Sequence, residues 1–244
     1  MFRVTRMLVS GLVVFGLSSV AAMAGDLSVI KGKVIFKGDP EKYKRSTLDT
    51  SKDPNCAKSK AKIGSWEVVI DKGEPSTLRN VLVHIKSGLD PNTVFPVPAE
   101  DVKITQIGCE YDPHVIALME GQTLRVLNGD DTNHNIHFQP KVNEEHNFSQ
   151  PKKDVEKGKE LKLKAESPFH IKCDVHPWMG AQMGVFKHPF FAVTGKEGTY
   201  EIKGMPPGKY EIEGWHEKFG TVVATVEVKS GETKADVDLV FEPK

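Results

Sequence analysis

Cysteine is scarce in this chain, which has only Cys56, Cys109 and Cys173 among its 244 residues. The paired cysteines of a structural zinc site are therefore missing, and the H-E-x-x-H motif of zinc hydrolases does not occur. A net charge is also missing, because 33 basic side chains balance 33 acidic ones. Without a basic excess, nucleic acid is not an expected partner.

Long amphipathic helices are not expected either, because no segment carries an extended 3.6-residue repeat of apolar side chains. Apolar and polar residues instead alternate in short runs bounded by Gly, Pro, Asp or Asn, which is typical of strands. These runs include VIKGKVIF, NVLVHIK, TLRVLN, NIHF, ELKLKA, FHIKC, TYEIKG, KYEIEGW and TVVATVEV. The pattern predicts an all-β protein. The charged segments 39–62 and 143–160 are predicted to be surface loops, the second with a short helical turn.

Only one long hydrophobic run is present, MLVSGLVVFGLSSVAAM near the N-terminus. Arg3 and Arg6 precede it, and Ala22-Met23-Ala24 provides an A-x-A cleavage pattern. Residues 1–24 are therefore predicted to be a signal peptide, with a membrane anchor as the alternative. Cleavage would leave a slightly acidic periplasmic or secreted chain without a membrane span.

Two separated parts of the chain share turn motifs and alternating strands. GKVIFKG and LRNVLVHIKSG lie near the start, and GTYEIKGMPPGKYEIEGW lies about a hundred residues later. Together they resemble the carboxypeptidase regulatory-like, transthyretin-like β-sandwich family. The resemblance implies a non-catalytic accessory domain formed by residues 25–94 and 191–244, interrupted by an inserted domain over residues 95–190. Two sequential domains are the alternative.

The inserted region contains a cluster of soft donors. In FHIKCDVHPWM, strand alternation directs Cys173 inward, and His176 and Met179 follow at three-residue spacings. In NHNIHF, the same alternation directs His134 inward. Two imidazoles, one thiolate and a weak thioether form the donor set of an electron-transfer copper site. Zinc is the weaker alternative because methionine is a poor zinc ligand.

These motifs resemble the cupredoxins over roughly residues 100–192, and the spacing C-x-x-H-P-x-M is similar to that of the amicyanin group. The resemblance implies a Greek-key β-sandwich holding one type 1 copper ion. Its implied ligands are His134, Cys173, His176 and Met179, with Met183 as the rival axial donor. By the same resemblance, Asn135 ties the His134 strand to the cysteine loop by hydrogen bonds.

The expected function is that of an exported blue copper protein carrying single electrons. Its redox partner would be a c-type cytochrome, a dehydrogenase or a copper oxidase. Pro177, Trp178 and Met183 are expected to surround a solvent-facing edge of His176 and form a small docking patch. The alternatives are a copper-delivery module and a copper enzyme with an open coordination position, which a bound Met179 would oppose.

The state of the two other cysteines follows from the predicted compartment. In an oxidising environment, Cys56 and Cys109 are expected to form a disulfide, leaving Cys173 free for the metal. Such a bridge would tie the 39–62 segment to the start of the inserted domain. Two free thiols or an intermolecular pair are the alternatives.

Overall fold

The computed structural model describes residues 27–60 and 62–243, and the predicted signal peptide lies outside them. The described residues form strands joined by loops, one α-helix and two 3-10 turns. The prediction of an all-β fold is confirmed. None of the helices in the described ranges is long and apolar enough to cross a membrane.

The strands follow one another in three groups along the chain. The first group is β1 Ser28–Phe36, β2 Thr47–Asp49, β3 Lys62–Gly64, β4 Ile70–Asp71, β5 Thr77–Leu78 and β6 Leu82–Ser87, with a 3-10 turn at Pro40–Tyr43 and helix α1 at Pro54–Lys60. The second group is β7 Val102–Ile107, β8 Glu110–Asp112, β9 Val115–Met119, β10 Thr123–Asn128, β11 His134–Gln139, β12 Asn147–Gln150, β13 Asp154–Lys162, β14 Glu166–Lys172 and β15 Gly180–Phe186. The third group is β16 Phe191–Val193, β17 Thr199–Met205, β18 Gly208–His216, β19 Gly220–Val228, β20 Thr233–Lys234 and β21 Leu239–Phe241, with a 3-10 turn at Lys196–Gly198.

The second group forms two sheets by itself. Their strand orders are β13-β10-β7-β8 and β12-β11-β14-β15-β9. Parallel pairing of β7 with β10 and of β9 with β15 requires the chain to cross between the sheets. Inward side chains of both sheets, such as Ile104, Phe138 and Ile171, pack into one buried cluster.

The first and third groups combine into another pair of sheets. β1 pairs with β17, β5, β20 and β21, while the second sheet has the order β16-β6-β18-β19. Their core contains Val34, Val83 and Ile212. Phe191 lies opposite His84 in the β16–β6 pairing, so the chain leaves this sandwich and re-enters it at neighbouring positions. Independent folding of each part, and the transthyretin-like relationship, remain predictions.

Apolar side chains join the two sandwiches. Leu82 of β6, Val115 of β9 and Phe186 of β15 form a small buried cluster, and Trp215 of β18 packs against it. The shared cluster removes apolar surface of both sandwiches from water, which favours a fixed contact between them.

The loop prediction for residues 143–160 is wrong. β12 and most of β13 fall within this segment, and each lies at the edge of its sheet. Edge strands pair on one side only and commonly carry charged side chains. The exposed residues of β13, such as Glu156 and Lys157, therefore hide the strand pattern.

The loop prediction for residues 39–62 also requires correction. Within residues 47–64, here called the strap, β2 and β3 pair with each other and α1 lies between them. Cys56 of α1 is bonded to Cys109, which lies in the turn between β7 and β8. The predicted disulfide is thus confirmed, and Cys173 is the free, buried cysteine of the described chain. This covalent bond holds the strap against the sandwich of the second group, residues 102–186, here called the inserted sandwich from its place in the chain.

Candidate metal centre

Three buried donors meet at one end of the inserted sandwich. His134 is the first residue of β11, Cys173 directly follows β14, and His176 lies in the loop between β14 and β15. Their ligand atoms all lie within 4.8 Å of one another. The side chains are 0%, 2% and 1% exposed, respectively, so the centre is shielded from bulk water.

The loop 173–179 is shaped by its own hydrogen bonds. The backbone N–H of Met179 donates to the His176 carbonyl at 2.9 Å, and the N–H of Cys173 donates to the Met179 carbonyl at 3.3 Å. The N–H of His176 also donates to Cys173 Sγ at 3.3 Å. These bonds fold the loop into a compact turn and direct both the thiol and the imidazole inward.

The two imidazoles face each other through their Nδ1 atoms. His134 Nδ1 lies 3.0 Å from His176 Nδ1, whereas the Nε2 atom of His134 contacts Asp130 Oδ2 at 2.9 Å. A carboxylate on Nε2 holds the proton there and leaves Nδ1 available as a lone-pair donor. Asp130 is itself held by the backbone N–H groups of Gly108 and Cys109, each at 2.9 Å.

His176 has an equivalent carboxylate, supplied by the strap. Its Nε2 atom lies 3.1 Å from Asp53 Oδ2 and 3.6 Å from Cys56 Sγ. Asp53 also accepts hydrogen bonds from the first N–H groups of α1, at Asn55 and Cys56. The expectation that the outer edge of His176 reaches solvent is therefore wrong, because the residue is 1% exposed beneath the strap.

Electrostatics shift the pKa of the thiol and that of one imidazole in opposite directions. Burial raises the pKa of Cys173, but hydrogen bonds from His134 and from backbone N–H groups outweigh it, so the pKa lies below its ordinary value. Burial lowers the pKa of His134, but Asp130 and Cys173 together hold it above its ordinary value. Hydrogen bonding to His176 is the largest cause that lowers the pKa of Asp53. The lowered pKa makes a thiolate, the form of cysteine that binds metals, easier to form. The raised pKa of His134 means that its imidazole must release a proton before it binds a metal.

The two candidate axial methionines lie at different depths. Met179 is 3% exposed and closes the ligand loop. Met183 is fully buried in β15 and pairs with Phe169, four residues before Cys173 along β14. Four residues of strand span roughly 13 Å. Met183 therefore belongs to the sandwich core, not to the loop or a surface patch.

Asn135 links the two ligand elements. Its side-chain oxygen accepts a hydrogen bond from the N–H of Asp174 at 3.1 Å, which connects β11 to the cysteine loop. The Tyr111 hydroxyl adds a second link, donating to the carbonyls of Asn135 and Lys172 at 2.6 and 2.9 Å. Burial raises the pKa of Tyr111, so the hydroxyl remains a donor.

The residues predicted for docking differ in their surroundings. Pro177 is exposed, whereas Trp178 is half-buried with its ring centroid 5.0 Å from that of His176. The Trp178 indole N–H donates to the Cys109 carbonyl at 3.1 Å. The aromatic ring is thus fixed between the ligand loop and the disulfide.

The other histidines considered from the sequence do not join the three-donor group. His137 pairs with Asp174 and Glu145, and His170 is exposed on β14. His114 contacts the carboxylate of Glu217. Two further donor groups contain Cys56 or Cys109, but both sulfurs are committed to the disulfide.

The donor set fits copper by its chemistry. A thiolate and a thioether suit Cu(I), imidazole suits both oxidation states, and the free thiol is limited to Cys173 in the described chain. A zinc site built from paired cysteines does not fit, because the other two cysteines are bonded to each other.

Sequence reasoning does not find Asp53 and Asp130. Asp53 is 123 residues from His176, and its segment has no strand alternation. The sequence does offer one signal for Asp53. In Asp53-Pro54-Asn55-Cys56, an Asp followed by Pro is typical of a helix start, and the disulfide from Cys56 to Cys109 brings that start to the inserted sandwich. Asp130 lies four residues before His134 in a turn, where an acidic residue is ordinary.

No protein-family model matches the chain, and no curated protein matches it. Among solved structures, a reduced Cu(I) form of an amicyanin mutant is 20% identical, covering 42% of this chain and 97% of that chain with a TM-score of 0.31. A purple cupredoxin from Nitrosopumilus maritimus is 22% identical, covering 35% of this chain and 99% of its own, with a TM-score of 0.28. A Cu-containing nitrite reductase from Thermus scotoductus SA-01 is 18% identical, covering 41% of this chain but 25% of that chain, with a TM-score of 0.28.

Proposed function

We propose that this chain is a type 1 copper protein that carries single electrons between redox partners. The observation that carries the proposal is the buried convergence of His134, Cys173 and His176, with ligand atoms within 4.8 Å of one another. These residues would bind the copper ion, with Met179 as the weak axial donor. Bound copper would supply a one-electron couple between Cu(II) and Cu(I).

The rigidity of the centre supports electron transfer. Asp130 holds one imidazole, Asp53 holds the other, and Asn135 ties the two ligand elements together. Such hydrogen bonds keep the donors in one arrangement, so little reorganisation accompanies a change in copper oxidation state. A soft, fixed donor set is what a reversible electron carrier needs.

The strap argues against a delivery module. A delivery protein must pass its metal to an acceptor, whereas His176 is covered by a helix that Cys56 bonds to the sandwich. Copper exchange on the His176 side would require this cover to open. Catalysis at an open coordination position is also less favoured, because Met179 is buried in the ligand loop.

The proposed setting is the periplasm or the exterior of the cell. The predicted signal peptide and the Cys56–Cys109 disulfide both support an oxidising compartment. The proposed partner class is a redox protein such as a c-type cytochrome, a dehydrogenase or an oxidase.

Addition of Cu(II) to the metal-free protein tests the proposal. We expect an intense blue absorption from thiolate-to-copper charge transfer that a reductant bleaches and an oxidant restores. Cys173→Ser should abolish the colour while leaving the far-UV circular dichroism unchanged. The matched control, Cys56→Ser with Cys109→Ser, should remain blue. A pale complex, or one that loses copper on reduction, would instead favour delivery or catalysis.

A further inference from the structure

A cleft of about 600 Å³ opens beside the metal centre. Cys173 and Met179 line it from the ligand loop, and Ile63 and Trp66 line it from the strap and the residues after it. Glu217 of the other sandwich completes the wall. The cleft therefore leads from the surface to the ligand loop between the strap and the other sandwich.

An aromatic side chain connects the centre to this cleft. The Trp178 ring lines the cleft, is half-buried, and lies 5.0 Å from the His176 ring between centroids. The Nε2 edge of His176 is closed by Asp53 and Cys56. An electron leaving through the imidazole thus meets the strap at Nε2, and it can also pass to the neighbouring, partly exposed indole of Trp178.

The cleft is lined by an excess of negative charge. The cleft is lined by four carboxylates, one lysine and two histidines: Glu67, Glu110, Asp174 and Glu217, against Lys172, His114 and His170. Lys218, which is not part of the lining, pairs with Glu67 at 3.5 Å. Burial raises the pKa of Glu217, but hydrogen bonds with His114 and Gln182 outweigh it, so this carboxylate stays ionised. A concave surface lined by one sign of charge concentrates ligands of the opposite sign.

We propose that this cleft is the docking site and electron port for a basic one-electron redox protein. The inference rests on the proposed function and names the partner chemistry of the same centre. The partner's positively charged face would sit against the carboxylates, with its redox group next to Trp178. One electron passes between copper and the partner's redox group, and no covalent bond forms or breaks.

Binding can be tested without copper, using hexaamminechromium(III) as a paramagnetic cation and NMR of the metal-free protein. The three tryptophans of the chain each give one indole N–H signal. We expect broadening of the Trp66 and Trp178 signals, since both residues line the cleft, and little effect on Trp215. Glu67→Lys should weaken the broadening. Its matched control is Asp131→Lys, at an exposed residue that lines a separate surface hollow near α1.

Electron transfer is measured on the copper-loaded protein with hexaammineruthenium(II), which gives one electron to Cu(II). At low ionic strength, Glu67→Lys should slow this reaction by about threefold or more, and added salt should remove the difference. Asp131→Lys should change the rate far less. With hexacyanoferrate(III) as the anionic oxidant of the Cu(I) form, Glu67→Lys should increase the rate.

The outcomes separate the two proposals. A protein that never becomes blue overturns the proposed function and this inference with it. A blue, reversible protein in which the chromium probe broadens Trp215 as strongly as Trp178 overturns the port alone. Equal changes in the electron-transfer rate for Glu67→Lys and Asp131→Lys would also overturn the port alone.

Discussion

At His176, a carboxylate from a distant part of the chain reaches the outer nitrogen of the ring. Asp53 Oδ2 lies 3.1 Å from this Nε2 atom, and hydrogen bonding to the imidazole lowers the pKa of Asp53, so the carboxylate is ionised. A negative charge beside a ligand imidazole stabilises Cu(II) relative to Cu(I), because Cu(II) carries the larger positive charge. The ionised carboxylate should therefore lower the reduction potential of the centre.

Asp53→Asn should raise that potential by roughly 60 mV, which corresponds to a tenfold change in the balance of a one-electron couple. Asparagine keeps the size of the side chain and one acceptor oxygen, so the substitution removes the charge together with one of the two acceptors that serve His176 and α1. Redox titration of the visible absorption measures the effect, with Asp131→Asn as the control for a nearby exposed carboxylate. Equal potentials for the two variants would contradict the assigned role of Asp53.

The axial donor gives a second prediction at this scale. Met179 closes the ligand loop, whereas Met183 lies in the core opposite Phe169. Met179→Leu should keep copper and colour while raising the potential by about 59 mV or more, because a weak axial ligand tunes the balance between oxidation states. Met183→Leu should change it far less. Redox titration of both variants decides between them, and a larger shift from Met183 would overturn the assignment.

Individual residues differ in how well the sequence predicts them. Inward alternation along NHNIHF and FHIKC correctly places His134 and Cys173 among buried residues, because strand geometry fixes side-chain direction locally. The burial of His176 cannot be predicted in this way. Its cover comes from Cys56, 120 residues away, and no local pattern encodes such a contact.

Among the elements, the strap has the largest effect on the centre. Its strands pair only with each other, and the Cys56–Cys109 bond fixes its helix to the inserted sandwich. A bridge closing a loop of 53 residues reduces the entropy of the unfolded chain by an amount worth about 4 kcal/mol at 25 °C. The same bond keeps α1 over His176.

Replacement of both bridge residues, Cys56→Ala with Cys109→Ala, should lower the free energy of unfolding by about 2–5 kcal/mol. The variant should remain blue but lose copper to a chelator faster than the parent protein, because the strap can then move away from His176. Denaturant unfolding and stopped-flow bleaching measure the two effects. Unchanged copper loss would show that the strap does not limit access to the metal.

Element prediction fails where charge obscures periodicity. The sequence predicts β18 and β19 because their side chains alternate clearly, as in KYEIEGW and TVVATVEV. It predicts loop for β12 and β13 because their edge positions leave most side chains in water, where charged residues are tolerated on both faces. Pairing with a neighbouring strand, which is a tertiary contact, decides the structure of such segments.

At the scale of the whole molecule, the sheet composition makes the domain prediction testable. Residues 102–186 supply every strand of two sheets, and the flanking strands β6 and β16 pair directly with each other. Replacing residues 95–190 by a short flexible linker should therefore leave a folded, colourless β-sandwich, since its ends already lie side by side. A cooperative thermal unfolding transition, monitored by circular dichroism, would show that the shortened chain is folded.

A matched fragment of residues 95–244 serves as the control. It lacks β1, which pairs with four strands of the sandwich formed by the first and third groups, so this part should not fold completely. If the shortened chain is unfolded while the 95–244 fragment is fully stable, the protein consists of two sequential domains.

The position of β1 also determines when its sheet can form during synthesis of the chain. β1 is the first described strand, yet β17, β20 and β21, three of its partners, come from residues 199–241. A chain that emerges N-terminus first therefore cannot complete this sheet until nearly all of it has appeared. Residues 102–186 need no later strand for their two sheets. As the chain emerges, the donors His134, Cys173 and His176 can thus be brought together before the later strands that pair with β1 have appeared.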